Sequence, residues 1–196
     1  MHRALRIIHD EHRSISAVLS GLKSLAQMAR DSKVRPGFDV FRAMIYYIDA
    51  FPERMHHPKE DQHLFARLLQ RNPASGALVA DLTAEHAAGG KLVRDLERAL
   101  LEYEETWPQG ADKFCAAVES YSQFHWKHMG KEENDLLPLA QKSLTAEDWD
   151  AIETAFAGNE DPISDLREKD FEKLYQRIVN LAPAPIGLGD RWQKGP

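Results

Sequence analysis

The sequence predicts an all-α protein: an up-down-up-down four-helix bundle with additional C-terminal helices. Apolar residues recur at three- and four-residue steps through most of the 196-residue chain, which is the period of one helix face. No convincing two-residue alternation indicates a strand. Short stretches rich in proline, glycine and polar residues separate four long helical runs, and short turns favour antiparallel neighbouring helices.

The first two helices are separated by a clear break. The first should end near Arg30, before the breaker-rich Pro36-Gly37. The second begins near Phe38 and contains Pro52 and Pro58. Each proline removes a backbone donor and crowds the preceding turn, so the sequence predicts a kink or a restart in this helix.

The third and fourth helices complete the bundle. They are predicted over residues 74–105 and 112–139, and the short turn at 107–110 joins them. Four long helices joined in this way form the bundle domain, which we expect to cover residues 1–140.

Residues 141–196 form a C-terminal extension in this interpretation. A further helix should begin at the capping-box sequence 145–148 and end at the breaker-rich stretch 158–162, before one more amphipathic helix. The tail at 182–189 is rich in proline and glycine and is too apolar for a solvated linker. We expect it to be extended and to lie against the bundle or a partner chain.

Composition narrows the classes of function. The formal net charge is −6, and no basic arm indicates binding to nucleic acid. No apolar run is long enough to span a membrane and no signal peptide is evident, so we expect a cytoplasmic protein. The single cysteine, Cys115, excludes an intramolecular disulfide and fits a reducing compartment.

A pattern of histidine and glutamate occurs twice. His128-Met129-Gly130-Lys131-Glu132 places an imidazole and a carboxylate one turn apart on one helix face, and His56 and Glu60 have the same spacing earlier in the chain. A further histidine, His12 or His86, precedes each copy at a similar distance. The chain therefore contains two similar halves, and each half is expected to be a helical hairpin.

This pattern predicts a site for two metal ions. Six ionisable residues lie on otherwise apolar faces: His12, His56, Glu60, His86, His128 and Glu132. Burying them without partners would be costly, and coordination to metal ions removes that cost. Two bridging carboxylates with two histidines per ion would leave open positions for a small molecule. The alternative is an inert bundle with incidental core histidines.

The donor atoms indicate which metals are suitable. No thiolate is available at the site, and mixed imidazole and carboxylate ligands suit iron, manganese or zinc. Our first choice is a redox-active pair of iron ions, with zinc or manganese as substitutes. Affinity alone does not select iron over these metals.

The residues at these positions resemble the hemerythrin-like, or HHE cation-binding, family over about residues 5–140. The motifs that carry the resemblance are His9-Asp10-Glu11-His12-Arg13, His56-His57-Pro58-Lys59-Glu60-Asp61, Glu85-His86 and His128-Met129-Gly130-Lys131-Glu132-Glu133. The resemblance implies that the six residues above are iron ligands. It also implies that the protein reacts with or senses O2, NO or peroxide and is linked to iron, oxidative or nitrosative stress.

Two departures distinguish the chain from the oxygen carriers of that family. The carriers resemble this sequence but have another histidine four residues after the position of His86, where this chain has Gly90, preceded by Gly89. They also have an aspartate at longer spacing where this chain has Glu132. The glycine pair either allows close helix packing or leaves one iron less saturated, with space beside it. The resemblance is therefore to the non-carrier branch, which includes proteins similar to the repair-of-iron-centres group.

Five other residues are expected around the ligands and are not assigned as ligands: His9, His57, Glu85, Tyr121 and His125. Glu85 is a candidate acceptor or proton relay for a ligand imidazole. His57 points roughly 100° away from His56 on an α-helix and approaches the metal only if Pro58 distorts the turn.

The sequence leaves three classes of function open. The protein is a catalyst that turns over a small diatomic molecule or peroxide with a redox partner still to be identified, a sensor or iron-donor module without turnover, or an inert bundle. The sequence is compatible with a homo-oligomer and does not indicate the substrate.

Overall fold

The computed structural model describes residues 2–32, 34–157, 168–190 and 192. Within these ranges the chain is helical apart from short connections and an isolated bridge between Pro183 and Gly189. This helical content confirms the predicted all-α class. The helices are α1 (Arg3–Ser32), α2 (38–71), α3 (Gly76–Glu105), α4 (111–143), α5 (Ala146–Ala157) and α6 (Glu168–Leu181). In this described part, no helix combines the length and apolar content needed to cross a bilayer.

The second helix alternates between α-helical and π-helical winding. Its segments are Phe38–Ile48 (α), Asp49–His56 (π), His57–Lys59 (α), Glu60–Phe65 (π) and Ala66–Arg71 (α). The amide of His57 bonds to the carbonyl of Pro52, five residues back, so a wide turn accommodates the residue that lacks an amide hydrogen. The helix therefore continues through Pro52 and Pro58 without the predicted restart.

The π-helical segments coincide with the predicted ligands. One ends at His56 and the next begins at Glu60. In α4, the segment Glu132–Leu136 begins at the second glutamate of the repeated pattern and separates the α-helical parts Ala111–Lys131 and Leu137–Ser143. A π-turn changes the phase of the helix, so it redirects side chains at the site without ending the helix.

Two apolar clusters fill the bundle, one toward each end. One includes Leu22, Phe41, Leu96 and Phe114, and the other includes Leu5, Leu64, Leu82 and Leu136. Buried histidines and glutamates lie between them; we call this the polar layer, and its members are Glu11, His12, His56, His57, Glu60, His86, His125, His128 and Glu132. Apolar burial on both sides stabilises the bundle around this layer.

Both C-terminal helices pack against the bundle. Helix α5 contacts α1, and its Trp149 belongs to the apolar cluster around Leu5. The predicted capping box is confirmed, because the amide of Asp148 donates to Thr145 Oγ1 and the amide of Thr145 donates to Asp148 Oδ2. Helix α6 contacts α2. The break predicted at 158–162 lies outside the described residues.

The prediction of an extended tail is wrong for 182–189. The segment folds back on the end of α6, where the amides of Leu188 and Gly189 donate to the carbonyls of Val179 and Ala182, both at 2.8 Å. Carbonyls at a helix C-terminus lack partners within the helix and attract such donors. A Cβ on Gly189 would lie 2.6 Å from the carbonyl oxygen of Leu181, so this close approach requires glycine.

Candidate metal centre

The six predicted ligands meet in the polar layer. Helix α1 supplies His12, α2 supplies His56 and Glu60, α3 supplies His86, and α4 supplies His128 and Glu132. All six are buried, and both glutamates are 0% exposed. The predicted helical hairpins thus each contribute two imidazoles and one carboxylate, as the repeated pattern implies.

The donor atoms form two adjacent groups. The Nε2 atoms of His12 and His56 are 3.1 Å apart, and those of His86 and His128 are 3.0 Å apart. Each imidazole pair lies with the same two carboxylates, and the donor atoms within either group of four are all within 4.8 Å of one another. The arrangement therefore offers two neighbouring four-ligand positions that share Glu60 and Glu132.

Each shared carboxylate reaches histidines of both groups. Glu60 Oε2 lies 3.4 Å from His56 Nε2 and 3.6 Å from His86 Nε2. Glu132 lies 3.4 Å from His12 Nε2 and 3.2 Å from His128 Nε2, through different oxygens. Each carboxylate is therefore within reach of both four-ligand positions.

The four carboxylate oxygens lack ordinary partners. In the described part of the chain, no group hydrogen-bonds any oxygen of Glu60 or Glu132. A buried ionised carboxylate without donors is strongly unfavourable, whereas a bound cation satisfies both its charge and its lone pairs. The donor set therefore fits metal ions better than it fits a metal-free core.

The outward nitrogen of each ligand imidazole meets a second carboxylate, on a neighbouring helix. The four Nδ1 donations are His56 to Glu11 (2.7 Å), His86 to Asp61 (3.0 Å), His128 to Glu85 (2.9 Å) and His12 to Glu133 (2.9 Å). We call Glu11, Asp61, Glu85 and Glu133 the carboxylate ring. Placing the proton on Nδ1 leaves the Nε2 lone pair for a metal ion and fixes the orientation of the ring.

Sequence reasoning found one member of the carboxylate ring and missed three. Glu85 lies where an acceptor for a ligand imidazole was predicted, and its partner is His128. The positions of the other three in the sequence could have identified them, because Glu11, Asp61 and Glu133 each directly flank a predicted ligand, as Glu85 does. The repeat extends to lysines, since Lys59 donates to Glu11 and Lys131 to Glu85.

The other residues predicted near the site lie around it. His9 is at the rim, 3.3 Å from Glu133. The ring of His57 is buried and stacks on His86 at 4.2 Å between centroids, and Tyr121 donates a 3.0 Å hydrogen bond to Glu53. His125 is also buried, with Nε2 3.3 Å from the same Glu53 carboxylate. Glu53 was not predicted.

The glycine pair of α3 serves close packing at one of its two positions. A Cβ on Gly89 would overlap the carboxylate of Glu53, which fills the space beside His57. Gly90 is half-buried, and among the described residues a Cβ there would meet only the side chain of Arg94, at 3.6 Å. Of the two explanations of the pair, close packing therefore applies to Gly89.

Alanine at the two glycines should have opposite effects on stability. Gly89→Ala displaces Glu53 from Tyr121 and should reduce the free energy of unfolding by about 1–3 kcal/mol, a typical cost of overpacking. Gly90→Ala adds an ordinary contact and improves helix propensity, so it should increase that free energy by up to about 1 kcal/mol. Urea denaturation of both variants measures the difference. Equal effects at the two positions would contradict the close-packing assignment.

Charges within the centre shift the pKa values of its residues. Burial alone lowers the pKa of His12, but the carboxylates of Glu132 and Glu133 outweigh it and raise this pKa to about 10. Burial is likewise outweighed at His86, where Asp61 and Glu132 raise the pKa to about 9. Burial and the charge of Glu132 raise the pKa of Glu60 well above its usual range. In the metal-free chain, His12 and His86 therefore hold protons near neutral pH.

Metal binding should consequently release protons. His12 and His86 are protonated at pH 7 because their pKa values are about 10 and 9, and an imidazole binds a metal only after losing that proton. Apparent affinity should fall by about tenfold per pH unit for each proton displaced as the pH decreases below these values. Isothermal titration calorimetry in buffers of different ionisation enthalpy counts the protons. Heats that do not depend on the buffer would contradict the expectation.

A four-helix bundle with paired His and Glu positions in its polar layer defines a metal-binding helical domain. The family model described as the hemerythrin HHE cation binding domain matches residues 3–140, so the chain belongs to the hemerythrin family. No curated protein matches the chain. The match covers α1 to α3 and α4 as far as residue 140, so it includes all six donor residues and ends before α5.

Proposed function

We propose that the centre binds two iron ions and that the protein reacts with or senses a small molecule, namely O2, NO or hydrogen peroxide, under iron, oxidative or nitrosative stress. One observation supports this most strongly. Two fully buried carboxylates, Glu60 and Glu132, accept no hydrogen bond from the described residues and are shared by both histidine pairs. A single ion would leave one pair of histidines without a cation.

The donor set favours a redox-active metal over a closed structural site. Structural zinc is usually held by four ligands on one ion, often including cysteine, and the centre contains no thiolate. Imidazole with carboxylate suits iron, with manganese or zinc as substitutes. When bound, two iron ions supply a centre that exchanges electrons with a small molecule.

The residues of the chain perform the remaining tasks. The carboxylate ring orients the four imidazoles and holds their Nδ1 protons. Lys59 and Lys131 hold Glu11 and Glu85 in place through ion pairs. The apolar clusters on both sides exclude water from the polar layer, which strengthens every charge interaction inside it.

Access for a small molecule is available at one wall of the centre. A groove of about 530 Å³ between α1 and α4 reaches His12 and is lined partly by Ser16, Gly130 and Glu133. The small side chain of Ser16 and the lack of a side chain at Gly130 keep this approach open. The centre itself is enclosed, so the approach suits a diatomic molecule or peroxide better than a large organic substrate.

The experiment that tests the proposal combines metal analysis with turnover. Protein purified without oxygen and loaded with Fe2+ is assayed for iron per chain and for consumption of NO or hydrogen peroxide at an electrode. Many turnovers per pair of irons identify a catalyst, and stoichiometric uptake identifies a sensor or iron-donor module. Protein that holds fewer than two iron ions, or that is inert to O2, NO and peroxide, would overturn the proposal.

A further inference from the structure

His57 lies beside the position formed by His86 and His128. It sits between the two π-helical segments of α2 and is 4% exposed. Its ring is nearly parallel to that of His86, at 4.2 Å, and meets His128 edge-on at 5.2 Å. Donor atoms of these three histidines all lie within 4.8 Å of one another.

The orientation of His57 follows that of the four ligand imidazoles. Its Nδ1 atom faces a buried carboxylate, Glu53 Oε2, at 3.6 Å. Each of the other four imidazoles also directs Nδ1 at a carboxylate and Nε2 at the centre. Glu53 lies one turn before His57 on the same helix, and Gly89 provides the room for its carboxylate.

A purely structural role explains this arrangement poorly. The Nδ1 atom of His57 is buried and makes no hydrogen bond within the described residues. An unsatisfied polar atom is costly in a core, and an apolar residue of similar size would pack there without that cost. Coordination of a metal ion by the other ring nitrogen, Nε2, would fix the orientation of the ring and would explain why this buried position holds a histidine.

We infer that His57 is a third imidazole ligand at the position of His86 and His128, with Glu53 as its positioning partner. This inference rests on the dinuclear centre proposed above. Consecutive histidines of α2 then serve different ions, His56 one and His57 the other. The two positions are unequal, because one has three imidazoles and the other has two.

The test compares His57→Ala and His57→Gln with a matched control, His125→Ala. His125 is also buried, lies beside the same Glu53 carboxylate and stacks near His57, so its loss removes similar packing without removing a proposed ligand. Each protein is titrated with Co2+ against a competing chelator, and its visible absorption spectrum is recorded. Circular dichroism verifies the helical content of each variant.

Both His57 variants should still take up two ions, with one of them held at least tenfold more weakly and with a changed Co2+ spectrum. Added imidazole should restore the spectrum of His57→Ala, and His125→Ala should retain the wild-type affinities. Wild-type affinities and spectrum in both His57 variants would overturn this inference alone, as would an equal loss in His125→Ala. A wild type that binds a single ion would overturn the dinuclear proposal and this inference with it.

Discussion

Replacing Glu60 and Glu132 together by alanine should release both metal ions from the protein. Each carboxylate reaches histidines of both groups, so the double change removes half the donors of each four-ligand position. The remaining histidines form poor sites, because no negatively charged ligand is left to offset the charge of the ions. Metal content after gel filtration of the iron-loaded proteins measures the loss.

The two single variants test whether each carboxylate serves both ions. Because the carboxylates are shared, Glu60→Ala and Glu132→Ala should each weaken the binding of both ions and not of one alone. Glu97→Ala, an exposed change on α3, is the control and should keep both ions. One tightly bound ion that survives the double change would show that the centre is not dinuclear.

Removal of the metal should lower the melting temperature strongly. An ion that binds only the folded state stabilises it by about 2.7 kcal/mol when its concentration is 100 times the dissociation constant. Two such ions, at about 2–4 °C per kcal/mol for a chain of this size, correspond to a shift of about 10–20 °C. Without them, Glu60 and Glu132 stay buried, and none of their oxygens accepts a hydrogen bond from the described residues. Calorimetry before and after chelation measures the shift.

The matched control for this experiment is the Glu60→Ala, Glu132→Ala protein. It should melt at the same temperature with and without the chelator, because it has no ions to lose. An unchanged melting temperature of the wild type after verified metal removal would instead support a bundle whose histidines are incidental.

Much of the fold follows from local sequence information. The three- and four-residue apolar spacing places α1 and the start of α2 at Phe38, because amphipathic helices bury one face whatever their partners are. The six donor residues could be selected for a related reason. Each is an ionisable exception on an apolar face, and the pattern His-x-x-x-Glu occurs in both halves. The metals that they bind remain a prediction.

The rest depends on contacts that only the assembled bundle defines. The bond between His56 and Glu11 joins residues on different helices, and nothing local indicates which carboxylate meets which imidazole. Helix propensity also does not predict the π-helical turns at Pro52 and Glu60. The direction of the His57 side chain depends on those turns. Regular α-helical geometry, on which the sequence-based prediction relied, would point it away from the centre.

The carboxylate ring also implies an order in which its four hydrogen bonds form during folding. Its bonds run from α1 to α2, from α2 to α3 and from α3 to α4, and the last returns from Glu133 to His12 across 121 residues. Closing a long loop is entropically costly until other contacts offset it, so the early bonds form more readily than the last. On the ribosome, the ring therefore stays open until the end of α4 has emerged. A nascent chain exposes most of its donor groups well before it can enclose an ion.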